Sequence, residues 1–257
     1  MQLGNRKFTR GRLNTDEGDL VYLVSRGSGP SLLLIPGSFG DSLVFDEVVT
    51  HLPGDLTIVI AEIRGHGGSW PPPANGSIEQ FACDAIQVAD AAGLDRFYVG
   101  GHSIGGMISL EVGHRWPERV KGLIPVEGWT RAEAAQGFGG IIVNTLSDDQ
   151  IANRQATRER VTRDWTEDQV KEFARIWRRW DGYEFLAETS IPVLEIWGDR
   201  AQPKPALKEI FIPERDNIQV VWMEGASHSL LLERPRQVAE AISAFIRRTE
   251  ATKGPMG

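Results

Sequence analysis

The chain has 257 residues, enough for one large core, and its 41% hydrophobic and 25% charged residues exclude a disordered or coiled-coil protein. A formal net charge of −7 and the absence of a basic stripe offer nothing to phosphate backbones or anionic lipid, so no nucleic-acid partner is expected. Cys83, the single cysteine, excludes an intramolecular disulfide framework and a cysteine-rich metal site, and it falls in a helical pattern as a small buried thiol.

The first residues carry charge with no apolar stretch behind them, which predicts no signal peptide. Apolar runs such as Leu32-Leu33-Leu34-Ile35 are too short to cross a bilayer, so a cytoplasmic protein with no membrane partner is expected. Residues 20–24, 32–35 and 56–60 read as strands, aliphatic enough to be buried on both faces. A helix follows: Ser77 and Gln80 form a predicted capping box, Ile78, Phe81, Ala85, Val88 and Ala92 keep helical spacing, and Gly93 ends it.

Residues 97–100 form the next strand, and Gly101-His102-Ser103-Ile104-Gly105 stands between it and a further helical pattern. This is G-x-S-x-G in strand–turn–helix context, where a strained turn thrusts the serine hydroxyl outwards and the Ile104 amide faces a developing oxyanion. The competing reading is a turn without chemistry or one that cradles phosphate. Gly65-His66-Gly67-Gly68-Ser69-Trp70 is the nearest dinucleotide-like stretch, and it lacks the third glycine of that fingerprint.

Strands at 123–126, 193–197 and 218–223 complete the alternation expected of a mostly parallel sheet flanked by helices. Residues 131–189 interrupt it with helix-forming sequence rich in arginine and tryptophan, which predicts a short inserted helical cap on a core of residues 1–130 and 190–257. Trp165, Trp177 and Trp180 read as core, and Arg175, Arg178 and Arg179 as a solvated face. Val238, Ile242, Phe245 and Ile246 form the stripe of a final helix. No histidine pair has metal-ligand spacing, and neither a metal nor an organic cofactor is implied.

With its elbow, the chain resembles the α/β-hydrolase superfamily over nearly its whole length. Ile35-Pro36-Gly37-Ser38-Phe39-Gly40 is similar to the oxyanion loop after the third strand, and Arg64-Gly65-His66-Gly67-Gly68-Ser69 to the R-G-H-G-x-S turn. Gly225-Ala226-Ser227-His228, followed by Glu233-Arg234-Pro235, looks like the loop that carries the catalytic histidine. The resemblance implies Ser103 as nucleophile, His228 as base, and the amides of Ser38 and Ile104 as the oxyanion hole, although Pro36-Gly37 stands where many members have His-Gly.

The acid departs from the commonest pattern. Three residues beyond Gly198, after the seventh strand, stands Ala201, with Asp199 two residues early. Some members place the acid after the sixth strand, where this chain has Glu127 in Ile124-Pro125-Val126-Glu127-Gly128-Trp129. Glu127 is the preferred third member, Asp199 its rival, and a strand-end carboxylate paired with an arginine the bland alternative. Phe39 and Trp129, each following a site element, are the substrate-contact candidates. The expected substrate is a small carboxylic ester or lactone. A diketone C–C hydrolase, an amide hydrolase or a receptor with little turnover are the alternatives.

Overall fold

The computed structural model describes residues 1–73, 76–143 and 145–252. A short ribbon pairs Gln2–Leu3 with Arg6–Lys7, and eight strands then form one sheet. They are β1 (Thr9–Thr15), β2 (Gly18–Ser25), β3 (Ser31–Ile35), β4 (Thr57–Ala61), β5 (Phe97–His102), β6 (Val120–Val126), β7 (Val193–Gly198) and β8 (Ile218–Met223). Their order is β8-β7-β6-β5-β3-β4-β2-β1, with only the β1–β2 and β2–β4 pairs antiparallel. β1 carries the sequence Thr-Arg-Gly-Arg-Leu-Asn-Thr and lies exposed at the sheet edge, so it has no apolar run by which the sequence announces it.

Period-2 alternation divides the core in two. Leu33, Val59 and Val99 point to the face covered by α2 (Ile78–Ala91) and α3 (Ile104–Arg115). Leu32, Ile58 and Tyr98 point to the other, covered by α1 (Asp46–His51) and two C-terminal helices, α8 (Leu230–Glu233) and α9 (Pro235–Thr252). The capping box predicted for α2 is half made. The Ser77 hydroxyl accepts from the Gln80 amide at 3.2 Å, but the Gln80 side chain donates to Glu17 at 2.6 Å rather than reaching back. Cys83 is only half-buried on this helix, a correction to the buried thiol expected there.

Between β6 and β7 lie α4 (Ala132–Gln136), α5 (Asp148–Thr162), α6 (Glu167–Phe173) and α7 (Tyr183–Glu188), with no strand among the described residues. Two buried tryptophans tie this segment down: Trp165 Nε1 donates to the Gly65 carbonyl and Trp180 Nε1 to Glu111, both at 2.9 Å. No helix among the described residues is long and apolar enough to cross a membrane.

Candidate active site

The parallel strands deliver their side chains to one edge, where open α/β sheets place their sites. Ser38 follows β3, Ser103 follows β5, Glu127 follows β6, Arg200 follows β7 and His228 follows β8. Among the described residues six non-glycine residues have positive φ, and five are here: Phe39, Ser103, Glu127, Arg200 and Ala201. Each such residue costs on the order of 1–3 kcal/mol, a strain that surrounding packing must over-determine.

Ser103 sits at φ 55° and ψ −121°, immediately before α3. The turn is possible because its neighbours have no Cβ. A Cβ on Gly101 would come within 2.5 Å of the Ile35 carbonyl oxygen, and one on Gly105 within 2.2 Å of the same atom. That close approach seats the loop after β3 against the elbow, with Gly37 beside His102 and Ser103. In this loop the Phe39 amide donates to His66 Nε2 and the Gly40 amide to the Gly37 carbonyl, both at 3.0 Å. The amides of Ser38 and Ile104 have no acceptor among the described residues.

His66 is fully buried, and desolvation pushes its pKa down to about 4, against a weaker opposing bond to the Arg64 carbonyl at 3.2 Å. The ring is therefore neutral, donating from Nδ1 and accepting at Nε2, which makes it the brace of the loop after β3. His102 is likewise lowered to about 4, first by burial and then by its neighbour His228. Its Nε2 donates to the His228 carbonyl at 2.7 Å, and the two rings lie 4.8 Å apart, so the histidine loop is pinned directly to the elbow.

Glu127 and His228 meet at 3.1 Å, Oε2 to Nδ1. Asp199 does not join them: its Oδ1 accepts from the Ala201 and Gly225 amides at 2.9 and 2.7 Å, tying the turn after β7 to the histidine loop. Glu127 is wholly buried and also takes a two-pronged contact from Arg200, Nη1 to Oε1 at 3.0 Å and Nη2 to Oε2 at 2.6 Å. The Gly198 amide adds a fourth bond at 2.8 Å. Burial alone raises the Glu127 pKa, but the bonds and charges of His228 and Arg200 overcome it and hold the carboxylate below its ordinary value. Arg200 is the residue that sequence reasoning missed. A carboxylate at the end of a buried strand was its only signal, and Glu127 contacts both the arginine and the histidine.

Trp129 lies against His228, ring centroids 5.0 Å apart and 30° from parallel, with Trp177 packed edge-on behind it. Phe39 goes elsewhere. It is 8% exposed and packs with His66, Trp165 and Phe173, so a contact surface open to substrate is not where its ring lies. Trp165 and Trp180 are core residues, Arg178 covers Trp177, and Arg179 pairs with Glu172.

A profile of the alpha/beta hydrolase fold matches residues 30–162. The chain is 34% identical over 117 residues to a candidate carbamate hydrolase, RutD, of Azorhizobium caulinodans, a match that takes in 46% of this chain and only 44% of that protein. It is 25% identical over 271 residues to Lipase 3 of Moraxella sp., covering 91% of this chain and 83% of the lipase. An esterase of Thermogutta terrifontis superimposes with a TM-score of 0.71 at 22% identity, covering 94% of this chain and 99% of the esterase, which speaks to fold alone.

Proposed function

We propose that this chain, which belongs to the alpha/beta hydrolase fold family, is a serine hydrolase of a small carboxylic ester or lactone, with residues 131–189 as its cap. The bond from His228 Nδ1 to Glu127 at the mouth of the Ser103 elbow carries this reading. It fixes the imidazole as the tautomer protonated at Nδ1 and leaves Nε2 as a base for the serine hydroxyl.

Ser103 Oγ attacks the acyl carbon while its proton passes to His228 Nε2. The free amides of Ser38 and Ile104 stabilise the oxyanion, each contributing on the order of a hundredfold or more in rate. The imidazolium then protonates the leaving alcohol, and water, activated by the same nitrogen, releases the acid and restores Ser103. Glu127 orients the ring and remains ionised throughout. Trp129 stacks on the base and borders the acyl site.

The test is the intact mass of the protein after exposure to a small fluorophosphonate, with peptide mapping. A single adduct on Ser103, absent in Ser103→Ala together with ester turnover, supports the reading. No adduct, or turnover that survives in Ser103→Ala, would overturn it.

A further inference from the structure

The arginines of α5 bear on which substrate enters. This helix spans the two loops that flank Ser103. Its early turns hold the histidine side: Gln150 donates to the Leu232 carbonyl at 2.8 Å, and Arg154 Nη1 to Ser229 Oγ at 3.3 Å, one residue from His228. Its late turns hold the oxyanion-loop side: Arg160 makes bonds of 3.0 and 2.6 Å to Asp41 Oδ2, and the Arg158 guanidinium lies 4.2 Å from the ring centre of Phe39, one residue from Ser38.

Residues 154 and 158 are one turn apart on a single helix face, as i and i+4 must be. One guanidinium therefore meets Ser229, the residue after His228, and the other covers Phe39, the residue after Ser38. Arg160 is balanced by Asp41, but among the described residues no carboxylate lies within ion-pair distance of Arg154 or Arg158. In a chain of net charge −7, these are two cations without a carboxylate partner beside the loops that carry His228 and Ser38.

Resting on the serine-hydrolase reading above, we propose that Arg154 and Arg158 form a subsite for a carboxylate, so that the preferred substrate is an ester or lactone bearing a free carboxylate a few bonds from the scissile carbonyl. The planar forks suit a carboxylate, which one or both can engage through paired N–H groups. Both side chains are otherwise exposed, so the contribution of each is that of a surface pair, and it is screened by salt.

The test compares kcat/KM for the 4-nitrophenyl half-ester of glutarate with that for its methyl-capped, uncharged counterpart. The ratio of the two is the readout, so general damage to the enzyme cancels. Wild type should favour the charged ester at low salt, and Arg154→Gln with Arg158→Gln together should cut that preference about tenfold, chiefly through KM. Arg236→Gln, the same charge change on α9, should leave the ratio alone, and 1 M salt, with a screening length of about 3 Å, should erode it in wild type. Turnover of the capped ester with no preference for the charged one, or a preference that the double variant retains, would overturn the subsite alone. No turnover of either ester and no adduct on Ser103 would remove the serine-hydrolase reading and the subsite with it.

Discussion

Arg200→Met keeps most of the side-chain volume and deletes the charge that balances Glu127. The carboxylate would retain the Gly198 amide and His228 Nδ1 but lose both guanidinium contacts, in a position with no access to water. Breaking a buried ion pair from one side costs about 3–5 kcal/mol. That is a large part of a typical domain's total stability of roughly 5–15 kcal/mol. The carboxyl can escape only by binding a proton, since burial pushes its pKa up once the guanidinium is gone. Protonated, it no longer holds the imidazole as a carboxylate does. Urea unfolding at pH 7.5 should therefore show the loss, and the acid limb of the kcat/KM profile should move to higher pH. Arg200→Met with Glu127→Gln should be less destabilised than the sum of the single changes, because neither variant strands a charge in the other's presence. If Arg200→Met does not fold, Arg200→Lys, which keeps the charge without the fork, gives the same comparison in milder form. A loss below about 1 kcal/mol with an unmoved acid limb would refute the argument that the arginine holds the acid.

Three other expectations concern the same neighbourhood. Glu127→Gln should lower kcat by up to about ten-thousandfold and Asp199→Asn far less, because only Glu127 reaches the base; the reverse ranking in steady-state kinetics would exchange their roles. His66 is lowered to about 4 from 6.5, so the unfolded chain binds its proton first on acidification. Its contribution is complete above pH 6.5 and fades as pH falls toward 4, by up to about 3 kcal/mol at roughly 1.4 kcal/mol per unit. Melting scans from pH 7 to 4 on wild type and His66→Gln should show a steeper decline in the former. Glu195, fully buried on β7 with Oε1 unpartnered among the described residues, is raised to about 8 by burial, against its bond to Trp197 and helped by Glu127. The folded chain keeps a proton that the unfolded one releases, so stability falls as pH rises from 4.5 to about 8, and Glu195→Gln should flatten that decline. An unchanged slope would show that the carboxyl is ionised in the fold.

The strands were legible wherever burial on both faces demanded unbroken aliphatic runs, and the residue-103 elbow was legible because a strained turn beside close-packed backbone tolerates only glycine on either side. Edge strand β1 was not, since its residues are solvated and paired on one side only. His228 and Glu127 are 101 residues apart in the chain, so no periodicity connects them. Only the parallel packing of β6, β7 and β8 brings Glu127, Arg200 and His228 to one sheet edge, and only that packing passes over Asp199. The arginine partner and the two neutral histidines depend on desolvation, which belongs to the folded volume rather than to any stretch of chain. The residue types at the site were thus set by local conformational rules, and their protonation states and partners by which of them the tertiary structure withdrew from water together.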